Sequence, residues 1–437
     1  MPFATRAGPF LGRRAPAPVV IHSAPLVLPI RGEPLRDGAV AVRGDRVLRV
    51  GPRAELLGLF AVTRERRWPG TLLPGLIDTY ATGRHPDAPG SRPSHAPSSA
   101  GHDSPGHDSP GHDSPGHDGA GQYGPGHDGA GQYGTPPAGP RTTSGGTPHG
   151  TSGPGTRSPQ PPRGAPEFRS TTSGASGDGV FSGLSGTAGV VPGFGVTTRA
   201  GVVGEPGEAG RVPDFGYVPV TSPGVDEWDE RDRDLLITAI REVERPSVIG
   251  VAVHSRDLQV LEDVAVLART FGLRLLVDLD AHSLAALDEA GILGAHCHAT
   301  CSRSLDPGER KLLRLRHTAV ALRPPPPDDA LTLLEEGNLV ALGSGGIGDP
   351  LAQARTVLAQ ARGRTPRPRG LDRKLVEAAT LGGARALGLA EGAGRIGTLG
   401  PGSRADLAVF AAGGRYPYAS LLDDAPCLGI VIGGIEP

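Results

Sequence analysis

A long run without core-forming residues interrupts this sequence. GHDSP occurs three times in succession from Gly101 to Pro115, and GHDGAGQYG occurs twice, at 116–124 and 126–134. Across 83–212, Gly, Ser, Pro and Thr dominate, and bulky apolar residues almost vanish before Phe168. Such a segment cannot remove enough apolar surface from water to offset the entropy of fixing its backbone. It is expected to be a disordered, low-complexity insertion in a fold built by its flanks. Five His-Asp pairs, beginning at His102, His107, His112, His117 and His127, could hold a transition metal loosely. Tandem duplication within a linker explains them as well.

Composition agrees with a divided chain. Of 437 residues, 68 are Gly and 45 Pro, and only 37% are hydrophobic and 4% aromatic, so much of the length lies outside any core. A formal net charge of -2 argues against a nucleic-acid or membrane-surface partner, which needs a concentrated basic face. Cys297, Cys301 and Cys427 are too few for a disulfide framework and fit a reducing cytoplasm. The N-terminal residues carry Arg6, Arg13 and Arg14, but Pro and charge break every apolar run, so no signal-peptide core is expected. No apolar run reaches the roughly 18 residues of a membrane-spanning helix.

The flanks carry regular patterns. PLRDGAVAVRGDRVLRVGP alternates apolar and polar residues about a turn at Arg43, Gly44 and Asp45, predicting a hairpin. TLLPGLID is continuously apolar, as a buried parallel strand is. Beyond 229, ERDRDLLITAIREVE predicts an amphipathic helix and SVIGVAVH a strand. Residues 257–271 predict a helix with Leu258, Leu261, Val264, Ala265, Ala268 and Phe271 on one face and Gly272 as its stop. LRLLVDL, GILGAHC, TAVAL and LVALG follow with helical patterns between most of them, which implies a parallel α/β sheet, as a barrel or an open doubly wound sheet. GVTTRAGVV near residue 200 is a candidate edge strand.

LRDGAVAVRGDRVLRVGP, LLPGLID, LVEAATLGGARALGL and GRIGTLGPGSRADLAVF, in that order, resemble the amidohydrolase superfamily. The similarity is greatest to its aminodeoxyfutalosine deaminase-like and imidazolonepropionase-like branch. It covers residues 20–82 and about 230–410, and implies a hydrolase acting on non-peptide C–N bonds. The implied fold is a TIM-like (β/α) barrel over 71–82 and 213–395, with a composite β subdomain from 15–70 and 396–437. Because the low-complexity block at 83–212 stands where barrel strands two to four belong, the barrel is expected to be incomplete.

The resemblance also implies one divalent metal, zinc or iron, that activates a water for attack on an sp2 carbon. Such an ion takes neutral nitrogen ligands and a carboxylate, offered at the C-terminal ends of the strands. The family's paired histidines fall here at Tyr80 and Thr82, weak ligands at neutral pH. The next ligand position becomes Asp278 and the proton-shuttling Glu becomes Ala281, with Asp280 beside it; the carboxylate of the last strand becomes Gly345. His296 remains as a catalytic contact with Asp278, and His254 as a substrate contact. The expectation is a degenerate member with no cofactor, no hydrolytic metal, and a possible small-molecule ligand at the barrel mouth.

Other readings stay open. HCHATC offers His296, Cys297, His298 and Cys301 for a rebuilt metal site with Asp278 or Asp280, although alternation along a strand points Cys297 away from the histidines. GSGGIGDP resembles a phosphate-cradling turn but lacks the lysine of a nucleotide loop; a strand-to-helix turn capped by Asp349 before Pro350 is the plainer reading. ALRPPPPDDA predicts a stiff, left-handed extended connector. Three functions follow: a non-catalytic amidohydrolase homologue, an active C–N hydrolase with a rebuilt site, or an interaction protein working through the low-complexity segment.

Overall fold

A computed structural model describes residues 17–60, 62–81, 194–202, 214–242, 248–346, 348–363 and 368–437. The low-complexity repeats, their His-Asp pairs and Thr82 lie outside the described residues.

The first sheet begins with β1 (Val19–Val27), β2 (Leu35–Arg43) and β3 (Arg46–Pro52), followed by β4 (Val62–Arg67) and β5 (Thr71–Pro74). β2 and β3 pair antiparallel about the expected turn, where Gly44 takes φ +56°, a conformation open to Gly without a Cβ penalty. The chain then enters eight parallel strands: β6 (Leu76–Asp78), β7 (Val196–Val202), β8 (Phe215–Val220), β9 (Val248–Val253), β10 (Arg274–Asp278), β11 (Cys297–Cys301), β12 (Ala319–Leu322) and β13 (Val340–Leu342). It returns to the first sheet as β14 (Leu407–Phe410) and β15 (Cys427–Val431), with β14 antiparallel to β5. The composite β unit is therefore built from both ends of the sequence.

The eight strands pair in chain order from β6 to β13. The first and last then meet: the Thr79 amide donates to the Leu342 carbonyl at 3.2 Å and the Gly345 amide to the Tyr80 carbonyl at 2.7 Å. This nearly closed barrel corrects the expectation of missing strands. GVTTRAGVV is no edge strand: it supplies β7, between β6 and β8 and buried at six of its seven positions. A barrel strand needs only a few residues, and with both faces covered it carries no polar alternation to mark it.

Helices cover the outside. Leu258–Phe271 forms as predicted: Asp257 accepts from the amides of Gln259 and Val260, and Gly272 ends it at φ +64°. Its buried face takes Val260 in place of Leu258, which stays exposed. Pro350–Ala361 starts at Asp349, whose carboxylate accepts from the amides of Leu351 and Ala352. The segment from Pro324 to Pro327 is not an unbroken left-handed run, since the Pro324–Pro325 bond is cis and Pro326 and Pro327 are buried.

Candidate functional site

Parallel strands in a barrel all end on one face, so side chains just past those ends converge around the axis. At the end of β6, Asp78 is buried and accepts from the Ser344 amide at 2.9 Å, the Ser344 hydroxyl at 2.5 Å and the Tyr80 amide at 3.2 Å. Burial raises its pKa above the usual carboxylate range, and those three donors oppose the shift. Tyr80 is also buried, against Gly343, where a Cβ would come within 2.9 Å of the Tyr80 Cβ.

Asp278 ends β10, and Asp280 follows in the turn. The Asp280 carboxylate accepts from the amides of Ser302 and Arg303 and from the Ser302 hydroxyl. Burial works against its ionisation, but these donors and the nearby Arg323 prevail and hold its pKa below the usual range. Arg323, one residue past β12, reaches across β11: its Nη2 donates to Asp278 Oδ1 at 3.1 Å and to Asp280 Oδ2. Its Cζ lies 5.7 Å from the centroid of the Tyr80 ring. Arg323 thus binds two neighbouring carboxylates on an aromatic face.

The four histidines of this region fall in different places. His254 follows β9 and is exposed at the same end as Asp278. His282 is buried with Nδ1 2.8 Å from the Asp278 carbonyl and Nε2 2.9 Å from the Ser255 carbonyl, so both nitrogens are occupied. His298 lies inside the barrel, with Nδ1 3.2 Å from the Tyr217 hydroxyl. Burial and Arg274 lower its pKa to about 3, against a smaller opposing contribution from the Thr79 backbone.

His296 is at the other end. It precedes β11, and its carbonyl accepts from the Leu275 amide, level with the start of β10. Asp278 stands four residue steps along the strand from Arg274, about 13 Å at the usual rise. Within HCHATC, His296 precedes the strand rather than ending it, so the structure does not bring His296 and Asp278 together. Burial, with Arg274 and Arg269, lowers the His296 pKa. The rebuilt site drawn from Asp278, His296 and His298 is likewise not assembled. Gly345 has no side chain to offer, and its amide is used at the β6–β13 junction. Among the described residues, no three His, Cys, Asp or Glu side chains are grouped to hold a metal ion.

Sequence reasoning placed Asp278 and His254 at this mouth but missed Arg323, Ser344 and Ser302. A basic residue directly after an apolar strand was the available signal for Arg323.

No protein-family model matches the chain, and no curated protein matches it. Solved structures do match. An adenosine deaminase from Xanthomonas campestris with bound zinc aligns with TM-score 0.58 and 18% identity, over 97% of this chain and 93% of that one. Atrazine chlorohydrolase from Arthrobacter aurescens complexed with zinc gives TM-score 0.57 and 13% identity, over 95% and 94%. Aminofutalosine deaminase from Helicobacter pylori gives TM-score 0.59 and 12% identity, over 96% and 100%. At these identities the likeness is one of fold, and it agrees with the fold that the sequence resemblance implies.

Proposed function

We propose that this chain is an amidohydrolase homologue, a hydrolase of non-peptide C–N bonds by ancestry, whose barrel no longer performs that chemistry. Its fold is shared with two deaminases and a chlorohydrolase, and two of the three structures carry zinc. The sequence motifs point to the deaminase-like and imidazolonepropionase-like branch. Its retained role is to hold a small molecule at the barrel mouth, with His254 as an exposed contact.

The observation that carries this reading is the disposition of the histidines. A hydrolytic zinc centre takes three protein ligands, mostly imidazole, and keeps one position open for water. Here His296 is at the far end, His298 is enclosed with Tyr217, and His282 has both ring nitrogens facing carbonyls. His254 alone among the four is open at the mouth. The carboxylates beside it already accept from Arg323. These residues do not fit a water-activating divalent ion, and no hydrolytic step is derived for them.

Metal analysis of the purified full chain, paired with an ammonia-release assay on adenosine and other amino-substituted heterocycles, tests the proposal. The expected result is no ammonia, and no zinc or iron whose stoichiometry changes in His254→Ala or Asp278→Asn. Stoichiometric metal lost with either substitution, or ammonia release from any of these substrates, overturns it.

A further inference from the structure

Three donor side chains meet at the barrel floor, the end opposite the mouth, around the loop from Gly291 to His296. Arg269 comes from the last turn of the helix Leu258–Phe271, and its Nη1 donates to the Gly291 carbonyl at 3.1 Å. Arg274 begins β10, and its Nη2 donates to the Ala295 carbonyl at 3.1 Å. The His296 ring lies against Gly294, where a Cβ would come within 2.8 Å of it. Elsewhere on the barrel the arginines meet carboxylates: Arg303 binds Glu309, Arg310 binds Asp329 and Glu336, and Arg316 binds Asp288. Among the described residues, Arg269 and Arg274 make no ion pair. Asp288 is taken by Arg316, and Glu289, the other acid just before the loop, pairs with neither of the two.

Two nitrogens here are buried and have no hydrogen-bond partner: Nε of Arg274 and Nε2 of His296. Buried donors are nearly always satisfied, so two of them at neighbouring strand starts mark a place fitted to an acceptor from outside the chain. The charges agree. Burial, then Arg274 and Arg269, lower the His296 pKa, and no acid opposes them. The Tyr217 hydroxyl beside Arg274 stays neutral, because burial raises its pKa. We infer that Arg269, Arg274 and His296 form a binding site for a phosphate-type oxyanion, either the free ion or the phosphate group of a small ligand. Guanidinium groups meet phosphate oxygens with paired, charge-assisted donors. The neutral imidazole adds an N–H from a third side. A tetrahedral dianion can accept from all three, since its oxygens do not share a plane as those of a carboxylate do. Arg269 is exposed, so the site opens to solvent on the helix side. It stands at the other end of β10 from Asp278, and its failure leaves the reading of the mouth intact.

Calorimetric titration of the full chain with inorganic phosphate, at fixed ionic strength and in a buffer free of other oxyanions, tests this. Wild type is expected to bind phosphate. Arg269→Gln and His296→Gln are each expected to weaken that binding by about tenfold, the usual effect of losing one hydrogen bond to a charged group. Arg269→Lys, which keeps the charge, should recover part of the affinity, and Arg274→Gln should lose at least as much as Arg269→Gln. Arg269 is exposed, so its variants carry the test if Arg274→Gln does not fold. A parallel titration with methyl phosphate separates the two sources: tighter binding than inorganic phosphate assigns the site to a phosphate ester, and weaker binding to the free ion. Acetate should bind more weakly than either, and acetate as tight as phosphate overturns the choice of a tetrahedral anion. No phosphate binding by wild type, or equal affinity in wild type, Arg269→Gln and His296→Gln, overturns the site.

Discussion

The Ser344 hydroxyl donates to Asp78 Oδ2 at 2.5 Å across the junction of the first and last barrel strands. The Ser344 amide donates to the other oxygen at 2.9 Å, so one residue of the last strand end grips one carboxylate of the first. Few backbone hydrogen bonds join β6 to β13, and Asp78 is buried, which makes this side-chain contact part of barrel closure. Ser344→Ala removes one of three donors from a buried carboxylate. A loss of about 1–3 kcal/mol is expected, read as a lowered midpoint in urea. The Asp78 pKa should rise further in this variant. A midpoint equal to that of wild type counts against a closing role for the pair.

Gly250 lies on β9 where the Tyr217 ring crosses from β8. A Cβ there would come within 2.4 Å of the ring and 2.4 Å of the Arg274 carbonyl. The backbone contact cannot be relieved by a rotamer change, so Gly250→Ala is expected to destabilise by at least the 1–3 kcal/mol common for overpacked cores. Tyr217→Phe is milder: it leaves His298 Nδ1 without its partner and should cost about 1–2 kcal/mol. Denaturant melts of the two variants check the order, and a Gly250→Ala protein as stable as Tyr217→Phe contradicts it.

Much of the architecture was legible because it rests on short-range chemistry. Asp257 and Gly272 mark the ends of their helix by capping rules, and the turn at Gly44 follows from its backbone freedom. β7 reads as an edge strand in the sequence because residues 196–202 follow the Gly-rich segment, and burial on both faces removes the period-two signal that would mark its place in the sheet. At the site, Asp278 and His254 came from the family resemblance, which sets functional side chains at the C-terminal ends of barrel strands. His296 lies away from them: GILGAHC reads as a strand that reaches its end at this histidine, whereas the strand runs from Cys297 to Cys301 and starts just after it. For Arg323 the local pattern shows only a basic residue after an apolar strand; its partners Asp278 and Asp280 depend on the adjacency of β10, β11 and β12.

Arg310 holds the outer face of the barrel. Its guanidinium reaches Asp329 at 3.3 Å, Glu336 at 3.1 Å and the Leu305 carbonyl at 2.5 Å, and its side chain is 11% exposed. Lysine cannot reproduce that geometry, because its ammonium is one compact centre while the guanidinium spreads its donors in a plane. Arg310→Lys and Arg310→Met are both expected to lose about 1–3 kcal/mol, the range for buried polar groups left unpaired. Full recovery in the lysine variant, measured by urea denaturation, shows that charge alone suffices.

Two buried imidazoles should make the fold lose stability as pH falls below about 6.5. His298 is lowered to about 3 by burial and then Arg274, and His22 to about 4 by burial and then Arg66 and Arg64. Both rings are neutral in the folded protein near neutral pH, and in the unfolded chain both take up a proton near pH 6.5. The unfolded state therefore binds more protons between these values, and stability falls as pH drops from 6.5 toward 4 and, for His298, on toward 3. Each group contributes up to about 1.4 kcal/mol per pH unit in that window. His298→Gln should be less stable than wild type at pH 7, because it disturbs the contact with Tyr217, yet should lose less on acidification. Urea melts at pH 7, 6 and 5 measure the slope. An unchanged slope in His298→Gln would show that the buried ring is protonated in the folded protein, contrary to its enclosure beside Tyr217.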